Sequence, residues 1–162
     1  MPKDLSRMHP DLYKLYVIFK KKAMLSKLSF IVTCVERTIV EQMALFVQGR
    51  LNLKNVNRFR SIAGLPLITK ETENKVVTWT LNSKHVTNMF DKDLNNDYSR
   101  AFDIALLKHD RPHWDIKVSV NDNEIPDYQE IGAIGESCGL VWGGRFKSPD
   151  YVHFELGERK RR

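Results

Sequence analysis

Two segments of the sequence alternate apolar and polar side chains, and this pattern limits the fold more than any other feature. In residues 100–106, bulky apolar side chains occupy every second position, and Asp103 lies between them with two alanines. In residues 151–156, His153 and Glu155 occupy the positions between the apolar ones. Because successive side chains of a strand point to opposite faces, both segments are predicted to be strands with one core face and one polar face. An aspartate in an apolar strand costs free energy unless it is paired or binds a metal, so Asp103 is a candidate functional residue.

The other elements are predicted from periodicity and capping residues. They are a helix over about 11–25, a strand over 30–35 with two largely buried faces, a helix that Thr38 caps and that ends near Gly49, a surface excursion over 51–75, a short strand over 76–79, and a helix over 127–139 that Gly139 closes. At 162 residues and 42% hydrophobic content, the chain suits one globular domain with its own core.

The composition argues against membrane-spanning, secreted and disulfide-rich classes of protein. No apolar run approaches the roughly 20 residues that cross a bilayer. The N-terminus lacks the apolar stretch and cleavage site of a signal peptide. The two cysteines, Cys34 and Cys138, lie far apart without CxxC spacing, so we expect them to be reduced and buried.

Positive charge is concentrated at the C-terminus. The net charge is +6, and residues 159–162 carry four of these charges, which leaves +2 for the rest of the chain. Such a tail is predicted either to be solvated or to attract a polyanion, namely nucleic acid, an acidic membrane surface or the anionic polymers of a bacterial wall.

Histidines and carboxylates at several predicted strand and loop positions form a candidate catalytic metal site. His85, Asp103 and His153 offer two imidazoles and a carboxylate, and Asp150 is a spare carboxylate in the turn before His153. A catalytic zinc site needs three such protein ligands and one open position for water. The set therefore indicates hydrolysis.

Several blocks of the sequence together resemble one peptidase family. They are Ser83-x-His85, Arg100-Ala101-Phe102-Asp103, Gly135-Glu136-x-x-Gly139-Leu140-x-Trp142-Gly143-Gly144 and Asp150-x-x-His153-Phe154-Glu155, with Arg37-Thr38, Glu41-Gln42 and Gln48-Gly49-Arg50 upstream. In this order they resemble the zinc LD-peptidases of the D-Ala-D-Ala carboxypeptidase superfamily, and most of all phage endolysins and L-alanyl-D-glutamate peptidases. With the order of elements, the likeness implies a single α+β domain over residues 1–158, in which a small antiparallel sheet carries the zinc site and packs with helices.

The resemblance also implies a role for each candidate residue. His85, Asp103 and His153 would bind Zn²⁺, with water in the fourth position. Asp150 would be the general base that takes a proton from this water. Arg37, just after the strand over 30–35, would share the developing oxyanion with the zinc ion.

Further residues of these blocks are expected to support the site. Glu155 would be an alternative base or a hydrogen-bonding partner of His153. Trp142 lies among glycines that favour a tight chain reversal, where its indole could form a wall of the cleft and contact substrate. Gln42 and Ser83 would contact the other site residues or the substrate.

One feature departs from the family pattern. The family separates its first histidine from the aspartate by about one turn of chain, whereas His85 and Asp103 are 18 positions apart. An insertion over residues 89–98 accounts for the difference. If the assignment of His85 is wrong, His109 or His113 becomes the substitute ligand.

The insertion itself resembles the start of a calcium-binding loop. It has oxygen-bearing side chains at alternating positions, at Asp91, Asp93, Asn95 and Asp97. The sharp-turn glycine is absent, and the twelfth position is Phe102 rather than glutamate. The segment is therefore interpreted either as a regulatory Ca²⁺ site or as a polar turn without metal.

The expected protein is a monomeric zinc peptidase that cuts the L-Ala-D-Glu bond of peptidoglycan stem peptides as a phage endolysin. It would accumulate in the host cytoplasm without a signal peptide and reach the wall after another protein opens the membrane. We expect no separate wall-binding domain, so the tail at 159–162 would attract anionic wall or outer-membrane polymers. The alternatives are a D-Ala-D-Ala carboxypeptidase with the same chemistry and a basic nucleic-acid-binding module in which the histidines are incidental.

Overall fold

The computed structural model describes residues 3–87 and 98–158 of the chain. Over these residues it has four α-helices and a small antiparallel sheet, which confirms the predicted α+β class. The helices are α1 (Pro10–Leu25), α2 (Ile39–Val47), α3 (Leu53–Ile62) and α4 (Asp127–Ser137), and the strands are β1 (Phe30–Cys34), β2 (Ala101–Lys108), β3 (Arg111–His113), β4 (Leu140–Trp142) and β5 (His153–Leu156). The described residues form two compact units. Residues 3–36 and 98–158 are the sheet unit, and residues 37–87 are the second unit.

The sheet unit contains all five of these strands together with α1 and α4. The strands pair antiparallel in the order β1-β2-β5-β4, and β3 pairs with the C-terminal end of β2. Strand β2 therefore lies at the centre, with neighbours on both sides along most of its length. This position explains why its backbone is buried and why it can hold a polar side chain in a fixed place.

The core of the sheet unit lies between the apolar face of the sheet and the two helices. The rings of Phe102 and Phe154 stack with their centroids 5.6 Å apart. Phe19 of α1 lies 4.8 Å from Phe154, and Tyr16 lies 5.4 Å from Phe102, measured between ring centroids. Each fully buried side chain of this kind contributes about 1.5–3 kcal/mol to stability. The predicted apolar backing of the two polar strand faces is thus confirmed.

The second unit is held mainly by capping and by bonds from side chains to the backbone. Thr38 and Glu41 form a reciprocal capping box at the start of α2, as the predicted cap requires. Asn57 of α3 both donates to the carbonyl of Ile68 and accepts from its amide, each at 2.9 Å. Such bonds fix the course of the backbone in a unit whose described residues contain none of the five strands.

Three predicted elements differ from the structure. Residues 51–75 were expected to be a surface excursion but contain α3, which Asn52 caps and which buries only Val56. Residues 76–79 do not form a strand, and the carbonyl of Thr78 accepts a hydrogen bond from the Arg50 side chain at 3.0 Å. Strand β1 does not have two buried faces, because it lies at the edge of the sheet and Ile31 is exposed.

The remaining expectations have mixed outcomes. Helix α4 ends before Gly139, whose φ of +92° confirms the predicted closure. Cys34 and Cys138 are not joined in a disulfide, as expected, but only Cys34 is buried. Among the described residues, no helix is long and apolar enough to cross a membrane. The tail at 159–162 and the calcium-loop candidates Asp91, Asp93, Asn95 and Asp97 lie outside the described residues.

Candidate metal centre

Three side chains with metal-binding atoms form a row across neighbouring strands of the sheet unit. Cys34 of β1 is the register partner of Asp103 of β2, and Asp103 is the partner of His153 of β5. Directly paired residues point to the same face, with Cβ atoms about 4.5–5.5 Å apart. Cys34 Sγ lies within 4.8 Å of a carboxylate oxygen of Asp103, and His153 Nδ1 lies 3.0 Å from Asp103 Oδ1. The row places a thiol and an imidazole on either side of the Asp103 carboxylate.

The imidazole of His153 lies between two carboxylates. Its Nδ1 faces Asp103, and its Nε2 lies 2.8 Å from Glu155 Oε2 on the same strand. All three side chains are at most 16% exposed. A neutral imidazole has one N–H, so it can donate to only one of the two carboxylates. A cation shared by Nδ1 and Asp103 would satisfy the other nitrogen, and the donor set therefore fits zinc.

The sequence pattern did not place Cys34 in this row. Simple alternation puts Cys34 on the same face as Phe30 and Val32, which pair with Leu106 and Ile104 on the core side. The register shifts between Val32 and Cys34, so Thr33 is an extra residue and Cys34 pairs with Asp103. A bulge of this kind moves every following side chain to the opposite face. No signal in the sequence predicts its position.

Asp150 lies in the turn that leads into β5, as predicted. The Asp150 amide donates to the carbonyl of Gly143 at 2.9 Å, and the Asp150 carbonyl accepts from the amide of His153 at 3.2 Å. A Cβ atom on Gly143 would lie 2.5 Å from the Asp150 carbonyl oxygen and 2.9 Å from His153 Cβ. Only glycine allows this close approach. The turn thereby fixes an exposed carboxylate three residues before His153.

The second unit holds Arg37, Gln42, Ser83 and His85 in one buried polar network. Arg37 Nη1 donates to Gln42 Oε1 at 2.7 Å, and Gln42 Nε2 donates to the carbonyl of Thr80 at 2.6 Å. The Arg37 amide donates to the carbonyl of His85 at 2.9 Å, and the His85 amide donates to Ser83 Oγ at 3.3 Å. Arg37 is 8% exposed and His85 is 2% exposed. Arg37 is therefore not a surface guanidinium, and the network sets its direction.

Two other predictions are changed by the structure. Trp142 is 1% exposed, and its Nε1 donates to the carbonyl of Tyr151 at 3.0 Å. It therefore supports the turn before β5 from within the core and does not form a wall exposed to substrate. Of the substitute ligands, His113 pairs with Leu106 on the face opposite to Asp103, and His109 is exposed in the β2–β3 turn.

A comparison with known families matches the part of the chain that contains Asp103 and His153. Residues 95–156 match the family model described as D-alanyl-D-alanine carboxypeptidase. Over 63 residues the chain is 36% identical to the peptidoglycan L-alanyl-D-glutamate endopeptidase CwlK of Bacillus subtilis (strain 168), and the match covers 38% of each protein. The family match includes Asp103, Asp150, His153 and Glu155 but not Arg37 or His85.

The fold is also similar to a solved structure over nearly the whole chain. The crystal structure of the Serratia marcescens L-Ala D-Glu endopeptidase ChiX superposes with a TM-score of 0.56 at 19% identity, and the alignment covers 96% of this chain and 84% of the other. At this identity the likeness shows the fold alone.

Proposed function

We propose that this chain is a zinc peptidase of the D-alanyl-D-alanine carboxypeptidase family, whose model matches residues 95–156, and that it hydrolyses the stem peptides of peptidoglycan at the L-Ala-D-Glu bond. The observation that carries the proposal is the imidazole of His153 between Asp103 and Glu155, on a paired strand that the exposed Asp150 precedes in sequence. The endopeptidase CwlK supports this choice of bond by its likeness in sequence, and ChiX shares the fold.

Asp103 and His153 would hold the metal, with His85 as the third ligand by resemblance to the family. When bound, zinc would act as a Lewis acid and lower the pKa of a water ligand to about 7. Glu155 would accept the Nε2 proton of His153 and fix the ring with Nδ1 toward the metal. The 2.8 Å contact favours this role for Glu155 over that of a base, because the carboxylate is already directed at the ring.

Asp150 would act as the general base. It is exposed at the start of the turn, where water and substrate can reach it, and its backbone is held by Gly143. The carboxylate would take a proton from the attacking water and deliver it to the leaving amine. Asp150→Ala should keep stoichiometric zinc and lose hydrolysis by about 10²–10⁴-fold. Loss of zinc in this variant would instead make Asp150 a ligand.

Arg37 would stabilise the negative charge that develops on the carbonyl oxygen of the substrate. Gln42 holds its guanidinium at 2.7 Å in a buried setting, where a fixed positive charge is more effective than in water. Arg37→Lys would keep the charge but lose the planar geometry that Gln42 orients.

Product analysis tests the proposed bond. Purified peptidoglycan digested with the zinc-loaded protein should release stem peptides that begin with D-Glu and leave L-Ala on the glycan. The description of the matched family favours a second candidate, a D-Ala-D-Ala carboxypeptidase, which would release free D-alanine instead. A metal-free protein that leaves peptidoglycan intact and retards nucleic acid would overturn both and support a binding module.

We further propose that the biological role is that of a phage endolysin, which acts as a monomer from the host cytoplasm once the membrane is permeabilised. The likeness to endolysins supports this role. Expression followed by chemical permeabilisation should lyse the host, and the Asp150→Ala protein should not. Removal of residues 159–162 should weaken lysis at low salt, because attraction to anionic wall polymers is screened by salt. An unchanged salt profile would reject the role of the tail.

A further inference from the structure

Cys34 is the member of the row that has no role in the proposed reaction. Its thiol is buried and lies within 4.8 Å of an Asp103 oxygen, on the face of the sheet that carries His153. The thiol donates a weak 3.8 Å hydrogen bond to the carbonyl of Glu36. The two carboxylates around the His153 imidazole fit a cation in this place.

We infer that Cys34 is an additional protein ligand of the metal, which closes the centre in its resting state. The inference rests on the proposed function, which supplies the metal. Donor atoms on one zinc ion lie about 2.0–2.3 Å from it and so roughly 3–4 Å from one another. A bound ion would therefore need to draw the thiol toward Asp103 by no more than about 1.5 Å.

A thiolate in the centre has a chemical consequence. His85, Asp103 and His153 would leave one position open in a tetrahedral site, and Cys34 would fill it. Four protein ligands are typical of structural zinc sites, whereas a catalytic site keeps a position for water. Hydrolysis would then require Cys34 to leave the metal. The thiolate would also favour soft metal ions over hard ones.

Cobalt substitution tests the inference by absorption spectroscopy rather than by activity. Thiolate bound to Co²⁺ gives a charge-transfer band in the near ultraviolet that oxygen and nitrogen ligands do not give. The chain has two cysteines, so the Cys138→Ser variant leaves Cys34 as the one possible source. We expect the band in the wild type and in Cys138→Ser, and its loss in Cys34→Ser with cobalt still bound. Cys34→Ser should also bind Cd²⁺ at least about tenfold more weakly.

The outcomes separate this inference from the proposed function. Stoichiometric cobalt without the band in the wild type and Cys138→Ser would overturn the role of Cys34 and leave the peptidase proposal intact. A thiolate band in a protein that leaves peptidoglycan intact would support the role of Cys34 and overturn the peptidase. A protein that binds no metal would overturn both. If Cys34→Ser does not fold, the spectra of the other two proteins still decide the question.

Discussion

Asp103 and His153 in the sheet unit are held differently from Arg37 and His85 in the second unit. Asp103 lies on the central strand with paired backbone on both sides, and its side-chain direction follows from the register. In the second unit the backbone pairing is an isolated bridge between Arg37 and Val86, with side-chain hydrogen bonds around it. The first arrangement resists the loss of any one side chain, whereas the second depends on a few buried polar groups.

This difference has a functional meaning under the proposed mechanism. The sheet unit carries the base, two ligands and the orienting Glu155, which all need a geometry fixed within a fraction of an ångström. The second unit carries the guanidinium and the third ligand, and its network can change without breaking a sheet. Variants in the two units should therefore fail in different ways.

The largest effect should come from substituting the two histidine ligands. These variants test whether the sheet unit and the second unit each supply a metal ligand. His153→Ala and His85→Ala should each lower zinc affinity by more than about 100-fold. Loss of a residue that only hydrogen-bonds to a ligand typically lowers it by about 10–100-fold. Zinc titration against a chelator measures this, with the exposed His109→Ala as the matched control. If His85→Ala binds zinc as tightly as His109→Ala does, the metal centre lies within the sheet unit alone.

Gly143→Ala should have the next largest effect, because it disturbs the turn rather than a ligand. The new Cβ would lie 2.5 Å from the Asp150 carbonyl oxygen, so the turn must move. Hydrolysis should fall about 100-fold for a displacement near 1 Å, and the free energy of unfolding should fall by about 1–3 kcal/mol. Gly157→Ala is the control, since its Cβ would make an ordinary 3.7 Å contact with Val141. Equal behaviour of the two variants would show that the turn is not a rigid support.

Glu155→Gln should have a smaller effect and separates the two roles considered for this residue. Glutamine can still accept a hydrogen bond from His153 Nε2, but it lacks the charge that strengthens the imidazole as a ligand. Zinc affinity should fall by about 10–100-fold, and hydrolysis at saturating zinc should be largely kept. Glu136→Gln, which removes a charge from an ion pair with Arg145, is the control. Lost hydrolysis with unchanged zinc affinity would make Glu155 the base instead.

The same contrast explains how much of the site the sequence could predict. The polar faces of β2 and β5 follow from alternation, because a strand with one buried face has few ways to arrange Asp103, His153 and Glu155. The pairing of Cys34 with Asp103 depends on a bulge, whose position is set by the whole sheet and not by local residues. Trp142 shows the same limit, since the tertiary packing that buries it has no local signal.

In the second unit the sequence predicted less. Helix α3 has one fully buried residue, Val56, so its apolar periodicity is weak and its start depends on the Asn52 cap. The β-branched and aromatic run at residues 76–79 favours a strand by propensity, but the Arg50 side chain donates to a backbone carbonyl that a neighbouring strand would use. Polar contacts determine the structure of both segments, and the hydrophobic periodicity of the sequence does not predict such contacts.

The smallest effect should come from Gln42→Met, which tests whether the second unit depends on single polar groups. Methionine fills a similar volume but removes the acceptor of Arg37 Nη1 and the donor to the Thr80 carbonyl. Because these groups are buried, the free energy of unfolding should fall by about 1–3 kcal/mol. With Arg37 no longer oriented, kcat should fall more than KM changes, since the guanidinium acts on the transition state. Zinc affinity should stay within about threefold of the wild type if Gln42 acts through Arg37 alone. Gln129→Met on the exposed side of α4 is the control, and a loss of zinc in Gln42→Met but not in this control would show that the network also positions His85.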